Sequence, residues 1–277
     1  MNFFERTLVF LETEMIKPEP YGIFHIVSFL LMVAAVAVLC ALMKNSSEPA
    51  VSRMVLVAWI AIVVLEIYKQ TVFTLEYENG SVTSDYQWYA FPFQFCSTPM
   101  YVLPFIAFLP DSKLRDGAIA FMSSFSLFAG LAVMLYPSDV FVSTIGINIQ
   151  TMVHHSSQVI LGVFFAIRYR KRLGFKYFLR GVAFYAVSVL AALALNFAVH
   201  AVLNANAIDE TFNMFFISPY FECTLPVLGS IYTVVPYPVF LVIYVLGFTA
   251  AAALVLFAVL CAAKGGCLIY ERLRTHT

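Results

Sequence analysis

Four chemically reactive or ionisable residues, Glu66, Lys69, Cys96 and His154, interrupt long apolar stretches of the sequence. A charged side chain within membrane hydrocarbon costs about 3 kcal/mol or more, so its presence there indicates a functional site. Cysteine is a nucleophile and histidine is a base, and acyl transfer through a thioester requires both groups. The sequence therefore suggests nucleophilic chemistry at Cys96, with His154 as the base.

The elements that position these residues are predicted to be membrane-spanning helices. The chain has 277 residues, of which 62% are hydrophobic and 12% are charged, against about 25% charged residues in soluble domains. A helix of about 20 apolar residues crosses the hydrocarbon of a membrane. Seven apolar runs approach or exceed that length, which predicts an all-α, polytopic membrane bundle of about seven transmembrane helices. The runs are 22–43, 54–75, 91–109, 116–136, 148–167, 181–203 and 237–263.

The distribution of basic residues predicts the orientation of the bundle. Basic residues are concentrated after the first, third, fifth and seventh runs, and the loop after the fifth run carries Arg168, Arg170, Lys171, Arg172, Lys176 and Arg180. Because cytoplasmic loops are enriched in Lys and Arg, the N-terminus is expected outside and the C-terminus in the cytoplasm. This asymmetry indicates orientation and no nucleic-acid partner. We expect one integral membrane domain, 1–277, with an amphipathic segment 1–20 on the outer surface and the loop 204–236 capping the bundle.

When the seven runs cross the membrane in alternating directions, their polar residues lie at a similar depth in the membrane. Glu66 and Lys69 lie near the outer end of the second run, roughly 9–14 Å below the surface at 1.5 Å per residue. Several other polar residues lie in the outer halves of their runs or in the outer loop: Gln94, Cys96, His154, His155, Asn196, His200 and Asn213. A polar cavity that opens toward the outer leaflet is therefore predicted.

Each of these residues also has a structural interpretation. A free cysteine in a helix often packs as a small hydrophobic residue, and Glu66 and Lys69 can neutralise each other as an ion pair. Adjacent helical residues point about 100° apart. Either His154 or His155 can therefore face Cys96, and the other is expected to bond to a neighbouring helix or to support the site.

The segment WYAFPFQFCSTPMYVLP, residues 88–104, resembles the third-span motif of the YwaF / transmembrane protein 164 family of integral membrane proteins. Three later segments also resemble that family: GLAVMLYP at 130–137, MVHHSSQ at 152–158 and NANAIDETFNMFFISP at 204–219. The ordered set covers most of the chain. The sequence differs from many bacterial relatives by having Gln94 where a histidine near the cysteine is common. The resemblance implies location in a bacterial cell membrane.

The resemblance also implies an activity. Eukaryotic members are understood as cysteine-dependent acyltransferases that remodel phospholipids, and distantly similar hydrolases use Thr and His. Carried over to this chain, Cys96 matches the nucleophile and His154 matches the histidine. The expected partners are membrane lipids, with a phospholipid as acyl donor and a lysolipid or another amphiphile as acceptor. The oligomeric state is left open.

The residues around this pair are expected to support catalysis or substrate binding. Gln94, His155 or Asn196 could donate hydrogen bonds to an oxyanion, and Lys69 could hold a lipid phosphate while Glu66 balances its charge. His200 and Asn213 complete the predicted outer group. No cofactor and no metal are expected, since the sequence has neither HExxH nor GxxxxGK[ST].

Two other classes of function remain open at this point. Water as the acceptor would make the same Cys–His site a lipid-ester hydrolase. A seven-span transporter or receptor would be non-enzymatic. The run 237–263 has no Lys for a retinal Schiff base, and the sequence shows none of the inverted repeats that many transporters contain.

Overall fold

The computed structural model describes residues 1–78, 80–137 and 140–275, with side chains described up to residue 265. Helices make up 71% of the chain. In chain order the helices are α1 (Phe3–Leu11), α2 (Ile23–Met43), α3 (Glu48–Val72), α4 (Pro99–Phe108), α5 (Lys113–Phe121), α6 (Leu127–Leu135), α7 (Ile145–Arg168), α8 (Phe175–Ala205), α9 (Leu228–Tyr232) and α10 (Tyr237–Thr275). A π-helical turn, Met122–Ser126, joins α5 to α6. Two short antiparallel strands, β1 (Leu75–Glu78) and β2 (Ser81–Ser84), follow α3.

The prediction of an all-α polytopic membrane bundle is confirmed. Among the described residues, five helical segments are long and apolar enough to cross a membrane: α2, α3, α5–α6, α8 and the part of α10 up to Gly265. Their outward faces carry exposed apolar side chains such as Leu31, Val187 and Leu254, as expected for helices that contact lipid. Each of the seven predicted runs overlaps a helix, but a span count of seven and the direction of the termini stay predictions.

The segment α5–α6 forms the centre of the bundle. Of the residues in its most apolar stretch, 72% are buried, against 6–22% in the other four spanning segments. It packs closely on α7 at two glycines. A Cβ on Gly130 would lie 2.7 Å from the carbonyl oxygen of His155, and one on Gly162 would lie 2.8 Å from the carbonyl oxygen of Met122. Small residues at these positions let the two helix backbones approach, as is typical of helices in membranes.

Helix α7 is the most polar of the long helices. It has 24 residues, yet it carries Asn148, Gln150, His154, His155 and Gln158 among its apolar residues. Most of these polar side chains are buried. Polar side chains inside a membrane bundle face other helices rather than lipid, so α7 is the helix on which a polar interior site can be built.

The third predicted run, 91–109, is not one continuous helix. The chain turns at Pro92, forms a 3₁₀ turn at Phe95–Ser97, and begins α4 only at Pro99. Proline is favoured at the first position of a helix, where its missing N–H would have no partner. Helix α4 has ten residues, about 15 Å, or half the hydrocarbon thickness. Cys96 therefore lies in irregular backbone, which membrane proteins tolerate where it is buried in protein.

The segments beyond the bundle cover the end that is predicted to face outward. Helix α1 begins with a capping box between Asn2 and Glu5, and its Leu8 is buried. The Tyr68 hydroxyl donates to the carbonyl of Leu11 at 2.8 Å, which ties α1 to α3. In the loop between α8 and α9, residues 212–218, here called the strap, pack into the bundle.

A polar cluster, here called the Glu48 network, lies at the start of α3. The Glu48 carboxylate accepts hydrogen bonds from Arg115 at 2.9 Å, from Arg168 at 2.8 Å and from the Tyr169 hydroxyl at 2.7 Å. Arg168 also donates to the carbonyls of Met43, Lys44 and Ser46. Burial, and then the hydrogen bond to Glu48, raise the pKa of Tyr169, so its hydroxyl stays a donor. The network joins the start of α3 to α5 and α7.

Candidate active site

The backbone carbonyl of Cys96 is the point at which the third run meets α7. It accepts a hydrogen bond from His154 Nε2 at 2.8 Å and another from Gln158 Nε2 at 2.9 Å. His154 and Gln158 are four residues apart, so they lie on the same face of the helix. The two donors fix the 3₁₀ turn that carries the cysteine against α7.

This contact defines the state of the His154 ring. A carbonyl oxygen can only accept, so Nε2 carries the proton and Nδ1 of the neutral ring has a free lone pair. His154 is buried, 4% exposed, and no group in the described part of the chain bonds to Nδ1. The imidazole beside Cys96 is therefore an oriented base with one unengaged nitrogen.

His155 has a different role from His154. Its Nδ1 donates to the carbonyl of Thr151 at 2.7 Å, within α7. The two rings are 5.6 Å apart and inclined by 72°. Of the two histidines whose roles the sequence left open, His154 is thus the one that bonds to the Cys96 residue.

Glu66 and Lys69 form an ion pair on α3. Lys69 Nζ lies 2.7 Å from Glu66 Oε1, and both side chains are mostly buried. Gln70 Nε2 donates to Glu66 Oε1 and to the carbonyl of Ala90, each at 2.8 Å, which connects the pair to the chain just before the cysteine.

Gln94 and Asn196, considered above as oxyanion donors, both bond to the strap. Gln94 Nε2 donates to the carbonyl of Asn213 at 3.1 Å, and Gln94 Oε1 accepts from the N–H of Phe215 at 3.0 Å. The Asn196 amide makes the same paired contact with the backbone of Met214, at 2.7 and 3.0 Å. Their amide groups are engaged by backbone, so they hold the strap over the site.

Asn213 stabilises the strap from within. Its Nδ2 donates to the carbonyl of Glu222, and its Oδ1 accepts from the N–H of Ser218. Two and three residues further on, Phe215 and Phe216 have φ values of +60° and +57°, which non-glycine residues rarely adopt. Such backbone persists where the surrounding contacts enforce it, and it is common beside functional sites.

The strap places an aromatic ring next to the candidate nucleophile. The Phe215 ring is fully buried and lies 5.4 Å from Phe95, the neighbour of Cys96. Phe95 also contacts Tyr185 at 5.7 Å and Phe248 at 5.2 Å between ring centroids. The turn that carries the cysteine is therefore packed, through Phe95, against aromatic rings of the strap, α8 and α10.

His200 does not join this group. Its Nε2 is 3.0 Å from the Asn204 amide nitrogen, and its ring stacks on Tyr220 at 3.6 Å. These contacts lie at the outer end of α8, where His200 joins that helix to the loop after the strap. These are packing contacts, and a part of His200 in the site stays a prediction.

Two residues near the site, Gln158 and Tyr244, are not among the residues predicted from the sequence. Gln158 could have been found from the sequence, because a residue four positions after His154 shares its helix face. Tyr244 has no comparable signal, since tyrosine is common in apolar helices and only packing shows that its hydroxyl is buried.

The bundle and its buried polar layer define the class of the molecule as a polytopic α-helical membrane protein. Within that class, the model of the TMEM164 family matches residues 20–261, and the chain belongs to this family. No curated protein and no solved structure matches the chain.

Proposed function

We propose that this protein is an integral membrane acyltransferase that takes an acyl chain from a phospholipid, with Cys96 as the nucleophile and His154 as the base. The observation that carries the proposal is the His154 ring, which donates through Nε2 to the Cys96 carbonyl and leaves Nδ1 unbonded. A thiol becomes a strong nucleophile when an adjacent base removes its proton.

The reaction proceeds in two halves. His154 Nδ1 takes the thiol proton while Cys96 Sγ attacks the ester carbonyl carbon. The tetrahedral intermediate collapses, the ester C–O bond breaks, and the lysolipid alkoxide leaves with the proton from the imidazolium. An acceptor alcohol or amine then attacks the thioester by the reverse sequence. Phospholipid and acceptor both reach the site from the membrane, near the leaflet predicted to face outward.

Transfer is favoured over hydrolysis by the surroundings of the cysteine. Phe95, Phe215 and the aromatic rings of α8 and α10 cover the site. Exclusion of water protects a reactive intermediate from hydrolysis, so an amphiphilic acceptor competes well against water. A lipid-ester hydrolase with the same dyad is the second candidate, and it differs only in the acceptor.

Intact-mass spectrometry of the purified protein tests the proposal. Wild type, Cys96→Ser and His154→Ala are each incubated with mixed phospholipids. The expected result is an acyl-sized mass increase on wild type that hydroxylamine removes and that neither variant shows. Addition of a lysolipid discharges the adduct into a new phospholipid if the enzyme is a transferase, whereas release of free fatty acid alone identifies a hydrolase.

A negative result is equally informative. Absence of an adduct on wild type, together with unchanged lipid profiles in all three samples, contradicts the acyl-enzyme mechanism. Such a result favours the transporter or receptor alternative, which requires no covalent intermediate.

A further inference from the structure

The hydroxyl group of Tyr244 is buried without a hydrogen-bond partner. The residue is completely buried in α10, and no group in the described part of the chain bonds to its oxygen. An unsatisfied buried donor costs about 1–3 kcal/mol, and such groups in native proteins call for an explanation such as a catalytic role. The packing of α10 does not explain this cost, because a phenylalanine would fill the same space without burying an unpaired hydroxyl.

The position of Tyr244 connects this hydroxyl to the candidate nucleophile. Its ring stacks on Phe248 at 4.3 Å, and Phe248 contacts Phe95, the residue before Cys96, at 5.2 Å. Tyr244 is also seven residues after the start of α10 at Tyr237, roughly 10 Å along the helix, so it lies toward the same end of the bundle as the candidate site.

The proposed reaction lacks a protein group for the negative charge that develops on the acyl oxygen. Acyl transfer requires donors aimed at that oxygen, and tyrosine hydroxyls serve this purpose in other enzymes. The amides of Gln94 and Asn196 are occupied by the strap. The Nε2 groups of His154 and Gln158 are occupied by the Cys96 carbonyl.

Two buried hydroxyls near Phe95 are unoccupied in the described part of the chain, those of Tyr185 and Tyr244. Tyr185 lies 20 residues before the outer end of α8 at Ala205, roughly 30 Å along the helix, so Tyr244 is the unoccupied donor nearer the end of the bundle that holds the candidate site.

We propose that the Tyr244 hydroxyl donates a hydrogen bond to the carbonyl oxygen of the acyl group while Cys96 attacks it. This inference rests on the proposed acyl-enzyme mechanism. Sγ bonds to the carbonyl carbon, the C=O electron pair moves onto oxygen, and the Tyr244 O–H stabilises that oxyanion without transferring its proton. The thiol proton goes to His154 and then to the departing lysolipid. Tyr244 is thus a catalytic residue for forming and for discharging the thioester.

Tyr244→Phe tests this role because it removes only the hydroxyl. The matched control is Tyr177→Phe, which removes another buried hydroxyl without a described partner, near the start of α8 and away from Phe95. For each variant the rate of thioester formation from a diacyl phosphatidylcholine in mixed vesicles is measured in a single turnover, across lipid concentrations. Thermal unfolding in detergent is measured in parallel.

The expected result separates catalysis from structure. Tyr244→Phe lowers the maximal acylation rate about 10²–10³-fold, as does loss of one oxyanion donor in other enzymes, with little change in the lipid concentration at half saturation. Its unfolding temperature is equal to or above that of wild type, because an unsatisfied buried donor is gone. Tyr177→Phe acylates at the wild-type rate.

Three outcomes would overturn the inference. If wild type forms the thioester and Tyr244→Phe forms it equally fast, Tyr244 is no oxyanion donor and the Cys–His mechanism still stands. If Tyr177→Phe slows acylation as much as Tyr244→Phe, the effect is general to the loss of a buried hydroxyl. If wild type forms no thioester, the proposed function fails and this inference fails with it.

Discussion

Two groups of polar side chains lie toward opposite ends of helix α3, and their hydrogen bonding differs. In the Glu48 network both carboxylate oxygens and both terminal nitrogens of Arg168 are engaged, and the buried Arg168 Nε is its one atom without a described partner. Around Cys96, by contrast, four buried atoms have no partner among the described residues: His154 Nδ1, Gln158 Oε1 and the hydroxyl oxygens of Tyr185 and Tyr244. Fully paired polar groups stabilise a fold, whereas unpaired buried groups cost free energy and are available for chemistry.

In this bundle, the polar groups that stabilise the fold and those that are available for a reaction lie in different regions. The Glu48 network joins α3, α5 and α7 near the end predicted to be cytoplasmic, where charges are partly hydrated. The Cys96 site is enclosed by helices and by the strap, where an unpaired donor or base keeps its full electrostatic strength. Substitutions in the two regions should therefore affect different measurements.

The largest effect is expected for His154→Gln. Glutamine keeps an N–H that can donate to the Cys96 carbonyl, but it cannot accept the thiol proton. Thioester formation should fall about 10²–10⁴-fold, the usual contribution of a general base, while thermal unfolding stays close to wild type. Single-turnover mass spectrometry measures the rate. Wild-type acylation in this variant would mean that His154 only positions the cysteine.

Glu48→Ala should have the opposite signature. It removes the acceptor shared by Arg115, Arg168 and Tyr169, and Arg115 is buried. Because the Glu48 side chain is itself 47% exposed, the loss in unfolding free energy should be about 2–3 kcal/mol. Unfolding in detergent measures it, with acylation per folded molecule unchanged. Arg170→Ala, an exposed change after α7, is the control, and an equal loss there would contradict the role of the network.

Gly130→Ala tests the contact that holds α7 against α6. The added methyl would lie 2.7 Å from the His155 carbonyl oxygen, so the helices must separate at the histidines. Overpacking of this kind costs about 1–3 kcal/mol, and acylation should fall together with unfolding temperature. Gly247→Ala is the matched control, since nothing lies within 4 Å of its added methyl. Equal effects at both glycines would exclude the close approach as the cause.

The smallest effect is expected for Gln94→Met, which removes both amide contacts to the strap. Loss of these hydrogen bonds should weaken the strap by about 1 kcal/mol, so hydrogen exchange at residues 212–218 speeds up while the rest of the bundle is unchanged. His200→Ala is the control, because His200 contacts the loop beyond the strap. Unchanged exchange in Gln94→Met would show that Asn196 alone holds the strap.

The sequence by itself determined the class of fold. Apolar length and the placement of basic residues are local properties of the chain, so they predict membrane helices before any contact is known. The match of residues 20–261 to the TMEM164 family model confirms the family that the motifs around Cys96 and His154 indicated. The catalytic roles of these two residues stay predictions.

Only the tertiary structure decided which groups meet. It placed Cys96 in a 3₁₀ turn, selected His154 over His155 as its contact, and showed that Gln94 and Asn196 bond to the strap. It also brought Tyr244 near the cysteine from a helix about 150 residues away, a separation far beyond the one-turn reach of helical pairs. Hydrogen-bond partners inside a bundle depend on how distant segments approach, and residue type and local periodicity carry no record of that approach.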